Sequence, residues 1–213
     1  EYTLINTDRS LPQLEKALKI TNEVSFYISS DNDSFMESVP HGIALSLDTD
    51  THFFVVINST TIKPLQTLFT KKNVTLFGHN IKHALHLLDH CEIHPSTTLF
   101  DTMIASYLLD STSPEHSLEK LGLNKLPDSL DDREITCIKA RHILSQSNHL
   151  KDKLQEKDLE QLFLTIEMPL VPILFQMEKE GVFLDKEQIK SLSIDYHKKL
   201  QELTDNIYIQ AKE

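Results

Sequence analysis

Apolar positions along the chain fall into two regimes, strand-like runs in the first hundred residues and helix-like periodicity after them. YTLIN, within Glu1 to Thr7, suits a first edge strand, and Leu11, Leu14, Ala17 and Leu18 give one face of a helix over Leu11 to Ile20. Ser10 is placed to cap that helix. VSFYIS, Val24 to Ser29, is rich in β-branched and aromatic residues and predicts a central strand. GIALSL (Gly42 to Leu47) and THFFVVI (Thr51 to Ile57) flank Asp48-Thr49-Asp50, a sequence suited to a tight turn, and predict an antiparallel hairpin. A helix over Ile62 to Phe69 and a buried strand over Val74 to Phe77 follow, then a helix from Asn80. A connection from Cys91 to Thr98 leads to a further helix behind Asp101. The order strand, helix, strand, hairpin, helix, strand, helix, helix predicts an α/β domain with a mixed sheet, since the hairpin excludes a purely parallel arrangement.

Beyond Asp110 the pattern becomes helical. Ser117 to Gly122 predicts a short helix closed by a glycine, and Lys125 to Asp132 a loop. A helix is expected over Ile135 to Asn148, and a longer one from about Lys151 through LFLTIEMPLVPILFQMEKEG, bent at Pro169 and Pro172 and stopped by Gly181. Asp185 is placed to cap a last amphipathic helix from Lys186 to about Asp205. That helix has apolar residues but no core of its own. The last thirty residues therefore read as the cut edge of a larger protein, with an ordinary C-terminal helical hairpin as the alternative.

Composition changes this picture in few places. The 213 residues suffice for one domain with an appendage, and no apolar run approaches the length that spans a bilayer. Nor does the start of the sequence show a signal-peptide pattern. Two cysteines, Cys91 and Cys137, lack metal-site spacing and suit a reducing cytosol. A formal net charge of −11 repels phosphate backbones and disfavours an autonomous nucleic-acid binder more than it disfavours an enzyme.

The candidate chemistry lies around Leu76 to Asp110. His79, His83, His86 and His90 are spaced to share one helix face, opposite Ile81, Ala84, Leu85 and Leu88. Imidazoles four apart can hold a metal ion, but no carboxylate or cysteine of the right kind interleaves these, and the simpler expectation is a solvent-facing row. Cys91 with His90 or His94 has no third group to orient an imidazole. A two-metal nuclease site needs carboxylates converging from strand ends and helix starts, about 4 Å between ions. The acidic candidates are Asp31, Asp33, Glu37, Asp89, Asp101 and Asp110, and they do not assemble into such a set. Asp101, just ahead of a helix, reads as its N-cap.

GHNIKHALHLL followed by LFDTMIASYLLD resembles the 3′–5′ exonuclease domain of bacterial family-A DNA polymerases, whose second motif runs G-Q/H-N-x-K-x-D ahead of an FDTM-x-x-S-Y-x-L helix. SLEKLG is similar to a later helix of that family, and IEMPLVPILFQMEKEGVFLD to the segment that leads into the polymerase domain. The resemblance implies a ribonuclease H-like 3′–5′ exonuclease fold, with a mixed central sheet flanked by helices and a helical C-terminal extension. It divides the chain into a degenerate exonuclease-like domain, 1–165, and a helical segment, 166–213, leading into a polymerase domain.

Residue by residue, the resemblance lays the first motif's two metal-binding carboxylates on Ile28 and Ser30, and that of the second on Ala84. Asn80 and Lys82 of the second motif are present and become candidates for residual DNA contacts, with Lys63 as a weaker one. The third motif, a Tyr and an Asp four apart, has no counterpart between Glu134 and Lys151. The implied family ligands are therefore missing, and neither catalytic nor metal-binding residues are expected in this chain. Replacing crowded carboxylates by Ile and Ala also favours folding. The expectation is an inactive domain of a DNA polymerase I that performs template-directed synthesis in replication and repair. No cofactor is expected here, and magnesium is expected in the parent polymerase domain. DNA would be met through the full-length polymerase, and weakly or not at all by this part. The remaining expectations are a monomer packed on its polymerase domain, and a cytoplasmic, nucleoid-associated bacterial setting with no membrane. The alternatives are an active metal-dependent proofreading exonuclease with displaced ligands such as Asp31, Asp33 or Asp101, and a stand-alone interaction module using the histidine face.

Overall fold

The computed structural model describes residues 2–32, 34 and 37–211. Six strands form one sheet in the order β1-β4-β3-β2-β5-β6. They are β1 (Thr3–Ile5), β2 (Glu23–Ser30), β3 (Pro40–Ser46), β4 (His52–Val56), β5 (Thr75–Gly78) and β6 (Thr98–Asp101). β2 to β4 run antiparallel through the expected hairpin, while β1 on β4, β5 on β2 and β6 on β5 are parallel. The hairpin closes on Asp48, whose Oδ1 accepts the amides of Asp50 and Thr51 at 2.8 and 2.6 Å. This satisfies the turn's backbone donors locally.

The sheet is covered on both faces, and in its central strands β2 and β3 Glu23 is the one Asp, Glu, Lys or Arg residue. On one face lie α1 (Leu11–Ile20), α2 (Ile62–Phe69) and α3 (Ile81–His90), closing over Val24, Phe26, Ile43, Leu45 and Leu76. On the other lies α5 (Asp132–Glu156), with α4 (Thr102–Leu109) beside it. α5 crosses β2 and β3 on small residues, Ser25, Ala44 and Ala140, and Ser25 donates to the Ala140 carbonyl at 2.6 Å. Burying each large side chain of these cores stabilises the fold by roughly 1.5–3 kcal/mol.

The structure differs from expectation in several elements. Residues 98–101, inside the expected connection and helix start, form the edge strand β6, whose four residues are too few to show a period. Residues 118–122 make turns instead of a helix. The amide of Leu123 returns to Leu118 at 2.9 Å, and Gly122 takes φ 95. α5 begins earlier and ends later than the expected helix. It starts at a reciprocal capping box between Asp131 and Glu134, and it continues because Leu150 and Leu154 extend its buried stripe. It stops ahead of Asp158, which has φ 56. Helix resumes as α6 (Glu160–Leu162), passes through a π-helical turn at Phe163–Glu167, and continues as α7 (Met168–Glu180), which contains Pro172. Ser10 does not cap α1. Its hydroxyl turns back, accepting from the amides of Asn6 and Thr7 and donating to the Thr7 carbonyl at 2.8 Å.

One compact unit covers Glu1–Lys179 and a second covers Glu180–Glu213. In the second, Gly181 has φ 68, and the Asp185 carboxylate accepts the amides of Glu187 and Gln188 at 3.1 and 3.0 Å. The helix so started, α8 (Lys186–Ala211), runs past the expected end near Asp205. No described helix is long and apolar enough to cross a membrane.

Candidate functional site

The pleat of β2 decides which side chains can meet. Val24, Phe26, Ile28 and Ser30 share the face toward α3, while Ser25, Tyr27 and Ser29 face α5. Ser29, buried beneath α5, donates to Asp132 at that helix's first turn. The register between β2 and β3 shifts between Ser29 and Ser30, an irregularity at the strand end that re-aims the last residue.

β5 runs beside β2 and delivers the chain into α3 through Gly78, His79 and Asn80. A Cβ on Gly78 would lie 2.8 Å from Ile81 Cγ1 and 3.0 Å from Phe26 Cζ, so only glycine lets the turn pack on β2. Asn80 adopts φ 56, ψ 58, a left-handed conformation that Asn tolerates better than most residues. Its geometry is held from β6. The Asp101 carboxylate accepts the amides of Asn80 at 3.1 Å, Ile81 at 2.6 Å and Met103 at 2.8 Å. Asp101 is thus the expected N-cap of α4 and also ties the start of α3. Burial pushes its carboxyl up to about 6, although the backbone N–H bonds favour the ionised form.

Next to it, Thr102 donates its one hydroxyl proton to the Gly78 carbonyl at 3.0 Å. It must then accept from His79 Nδ1, 2.9 Å away, which assigns the proton of neutral His79 to that nitrogen. Burial pushes the His79 imidazole down to about 4, with nearby His142, Lys139 and His116 adding to the effect and Glu119 opposing it.

The strand end and α3 enclose a cleft of about 480 Å³. Ile28, Ser30 and Ala84, the three positions onto which the resemblance lays the family's carboxylates, all line it, and so does Asn80. Ile28 and Ala84 are buried, and the Ser30 hydroxyl donates to the Asn32 carbonyl at 3.0 Å. His79, His83 and His116 add imidazoles to the wall. Glu115 is the lining carboxylate among the described residues, and it accepts from Ser117 at 2.7 Å. It lies in a loop with no periodic or motif signal, and sequence reasoning did not single it out. The donor set does not fit a pair of divalent ions, which need several converging carboxylates. Among the described residues, no group of three or more His, Cys, Asp or Glu side chains could hold a metal ion.

The other carboxylate candidates lie outside this cleft. Asp31 accepts the Val39 amide at 2.8 Å, Asp110 the Thr112 hydroxyl at 2.7 Å, and Asp89 faces Lys179 at 2.8 Å. Glu37 is exposed, and Asp33 lies outside the described residues. Lys63, exposed on α2, and Lys82 do not line the cleft either, and Lys82 is paired with Glu178. The expected solvent-facing row of histidines is corrected by the fold. His90 is exposed, but His86 is buried against Phe175 and bonded to Glu178 at 2.9 Å, and His79 is largely enclosed. The helical wheel missed this because α7, from a distant part of the sequence, covers the face opposite the sheet. Cys91 has its thiol raised by burial, the opposite of an activated nucleophile, and Cys137 is pushed up to about 12. A larger hollow of about 760 Å³ lies between α5 and the β3–β4 turn, with Arg141, His142 and Asp48 in its lining, and contains none of the candidate positions.

A mixed sheet of this order, covered by helices on both faces and with its cleft at the end of β2, defines a ribonuclease H-like α/β domain. Residues 2–145 match the model of the 3′–5′ exonuclease family, and the chain belongs to that family. It is related to the exonuclease region of family-A DNA polymerase I. DNA polymerase I of Treponema pallidum is 26% identical over 192 residues, covering 80% of this chain and 19% of that protein. DNA polymerase I of Aquifex aeolicus is 32% identical over 134 residues, covering 63% of this chain and 22% of that protein. The chain thus spans about a fifth of the length of these relatives. Among solved structures, the POL domain of Pol1 from M. smegmatis, in complex with DNA primer-template and dNTP, superposes with a TM-score of 0.82 at 16% identity. That match covers 97% of this chain and 37% of the other. Brucella melitensis NrnC with bound Mg2+ gives 0.65 at 17% identity over 78% of this chain and 92% of that one. Both likenesses speak to the fold.

Proposed function

We propose that this domain is a catalytically inactive, structural member of its family, serving as a scaffold within a DNA polymerase I that carries out template-directed synthesis in replication and repair. The observation that carries the reading is the convergence of Ile28, Ser30 and Ala84 in one cleft. A phosphodiester-cleaving site of the two-metal kind requires negative charge at that place to hold the ions, and these three side chains supply one neutral hydroxyl. The displaced-ligand alternative has little to draw on. Asp101 is buried and held by three amides, and Asp31 is engaged by Val39 and Ser38.

The scaffold role is supported by the outer face of α7, where Leu170, Ile173, Leu174 and Met177 are exposed, as is Ile166 in the π-helical turn before it, while Val171 and Phe175 on the inner face are buried. Such a contiguous apolar face suits further protein packing, and a polymerase domain following 166–213 is the occupant this reading assigns. Template, primer and magnesium are expected to engage that domain. Of the two motif residues retained, Asn80 lines the cleft and is the better candidate for a residual contact to a single strand.

The test is incubation of the purified 213-residue chain with a labelled single-stranded oligonucleotide in millimolar Mg2+ or Mn2+. No EDTA-sensitive 3′ shortening is expected, and melting should be the same in EDTA and in metal. Metal-dependent trimming by the wild-type chain, lost on Asp101→Asn or Asp31→Asn, would overturn the reading.

A further inference from the structure

The family motif leaves Lys82 unexplained in a domain without catalysis, and the fold gives it a partner outside the cleft. At 100° per residue, α3 presents Asn80, His83, Ala84 and Leu87 on one face, and these line the cleft. Lys82, His86 and Asp89 lie on the adjoining face, beneath the last turn of α7. Glu178 receives both Lys82 and, at 2.9 Å, His86 Nε2. One residue on, Lys179 reaches Asp89 at 2.8 Å. Between them Phe175 is buried and meets the His86 ring edge to face, centroids 4.7 Å apart. The charges alternate so that each α7 residue meets an opposite or hydrogen-bonding partner on α3. Lys82 and His86 together hold the Glu178 carboxyl below the usual range.

We propose that the outer face of α3 is a clasp for the end of α7, and that Lys82 and Asp89 act as positioning residues for the last turn of the compact unit, not as contacts to nucleic acid. An isolated exposed ion pair is worth little. Here one pair includes the buried His86 imidazole and the buried Phe175 ring lies against both His86 and Lys179, so the helix end is held by polar and apolar contacts at once. The clasp closes at Lys179, the last residue of the first compact unit, and Gly181 follows two residues later in a left-handed conformation. The last helical turn before that break is where fraying would otherwise start. The same helix that walls the cleft thus fixes where the chain leaves the unit. This inference does not depend on whether the cleft is catalytic.

The test is amide hydrogen exchange of the 213-residue chain, resolved for Met177 to Lys179, in low salt and in molar salt. Lys82→Met and Glu178→Gln are each expected to speed exchange at these amides about fivefold in low salt, with much less effect in high salt. Lys82→Arg should restore protection. Asp89→Asn should act at the same amides, and circular dichroism should show unchanged helix content throughout. Binding of a fluorescent single-stranded oligonucleotide is measured in parallel. Unchanged exchange in both Lys82→Met and Glu178→Gln, or a loss of oligonucleotide affinity in Lys82→Met without any change at α7, would sink the proposal.

Discussion

At the residue scale, Asp101, behind the cleft, and His79, in its wall, pull stability in opposite directions. Asp101 has its folded carboxyl pushed up to about 6 from 3.8, so between those values the folded chain holds a proton that the unfolded chain has released. Its contribution is therefore largest below about pH 4 and declines as pH rises through 6, by up to about 3 kcal/mol. His79, pushed down to about 4 from 6.5, does the reverse: the unfolded chain binds the proton first, and stability is lost as pH falls from 6.5 toward 4. The two slopes offset each other in the parent, and a single substitution should expose the survivor. Asp101→Asn exchanges one of the two oxygens that accept the amides of Asn80, Ile81 and Met103 for an NH2 donor and should cost about 1–3 kcal/mol at neutral pH. Its stability should climb more steeply than that of the parent between pH 4 and 6.5. Urea titrations at half-unit pH intervals check both the offset and the slope, and parallel pH profiles for the two chains would show that Asp101 does not titrate as described.

At the element scale, most of the sheet was legible in the sequence because β2, β3 and β4 are long enough to show alternation and strand composition, and Asp48 marks their turn. β6 was not, since TLFD is four residues whose strand character comes from the neighbouring β5. α5 shows the converse, a helix whose start is written in a capping box, Asp131 to Glu134, that sequence reading assigned to a loop and to the residues just after it. Removing that cap is a clean test of local signal, because Asp131 is exposed and its carboxyl serves the Glu134 amide at 2.8 Å. Asp131→Ala should destabilise the domain by about 1 kcal/mol, read as a lower urea midpoint with an unchanged slope. The candidate site divides the same way. Ile28, Ser30, Ala84 and Asn80 could be placed from motif spacing, and they do meet in one cleft. The burial of His86 and the engagement of Lys82 could not, because their partner Glu178 lies more than ninety residues further along the chain.

At the scale of the whole molecule, the proposed loss of a charged site makes a prediction about stability. Ile28 and Ala84 are buried, and carboxylates there would face one another across a partly desolvated cleft with no cation to pair them. The apolar side chains instead join the core that β2 and α3 already share. The triple change Ile28→Asp, Ser30→Glu, Ala84→Asp puts charge at these positions, and its effect should depend on metal in a way that the parent chain does not share. In EDTA the triple variant is expected to be less stable than the parent by several kcal/mol, since like charges would crowd an enclosed site. Millimolar Mn2+ should recover part of that loss, because an ion that binds only the folded state stabilises it by mass action. Oligonucleotide cleavage should remain absent, as the helix spanning Glu134 to Lys151 has no Tyr and Asp pair to complete the set. Differential scanning calorimetry of both chains with and without Mn2+ separates the cases. A metal-dependent shift in the parent, or none in the triple variant, would mean that these three positions are not where the family's ions once sat.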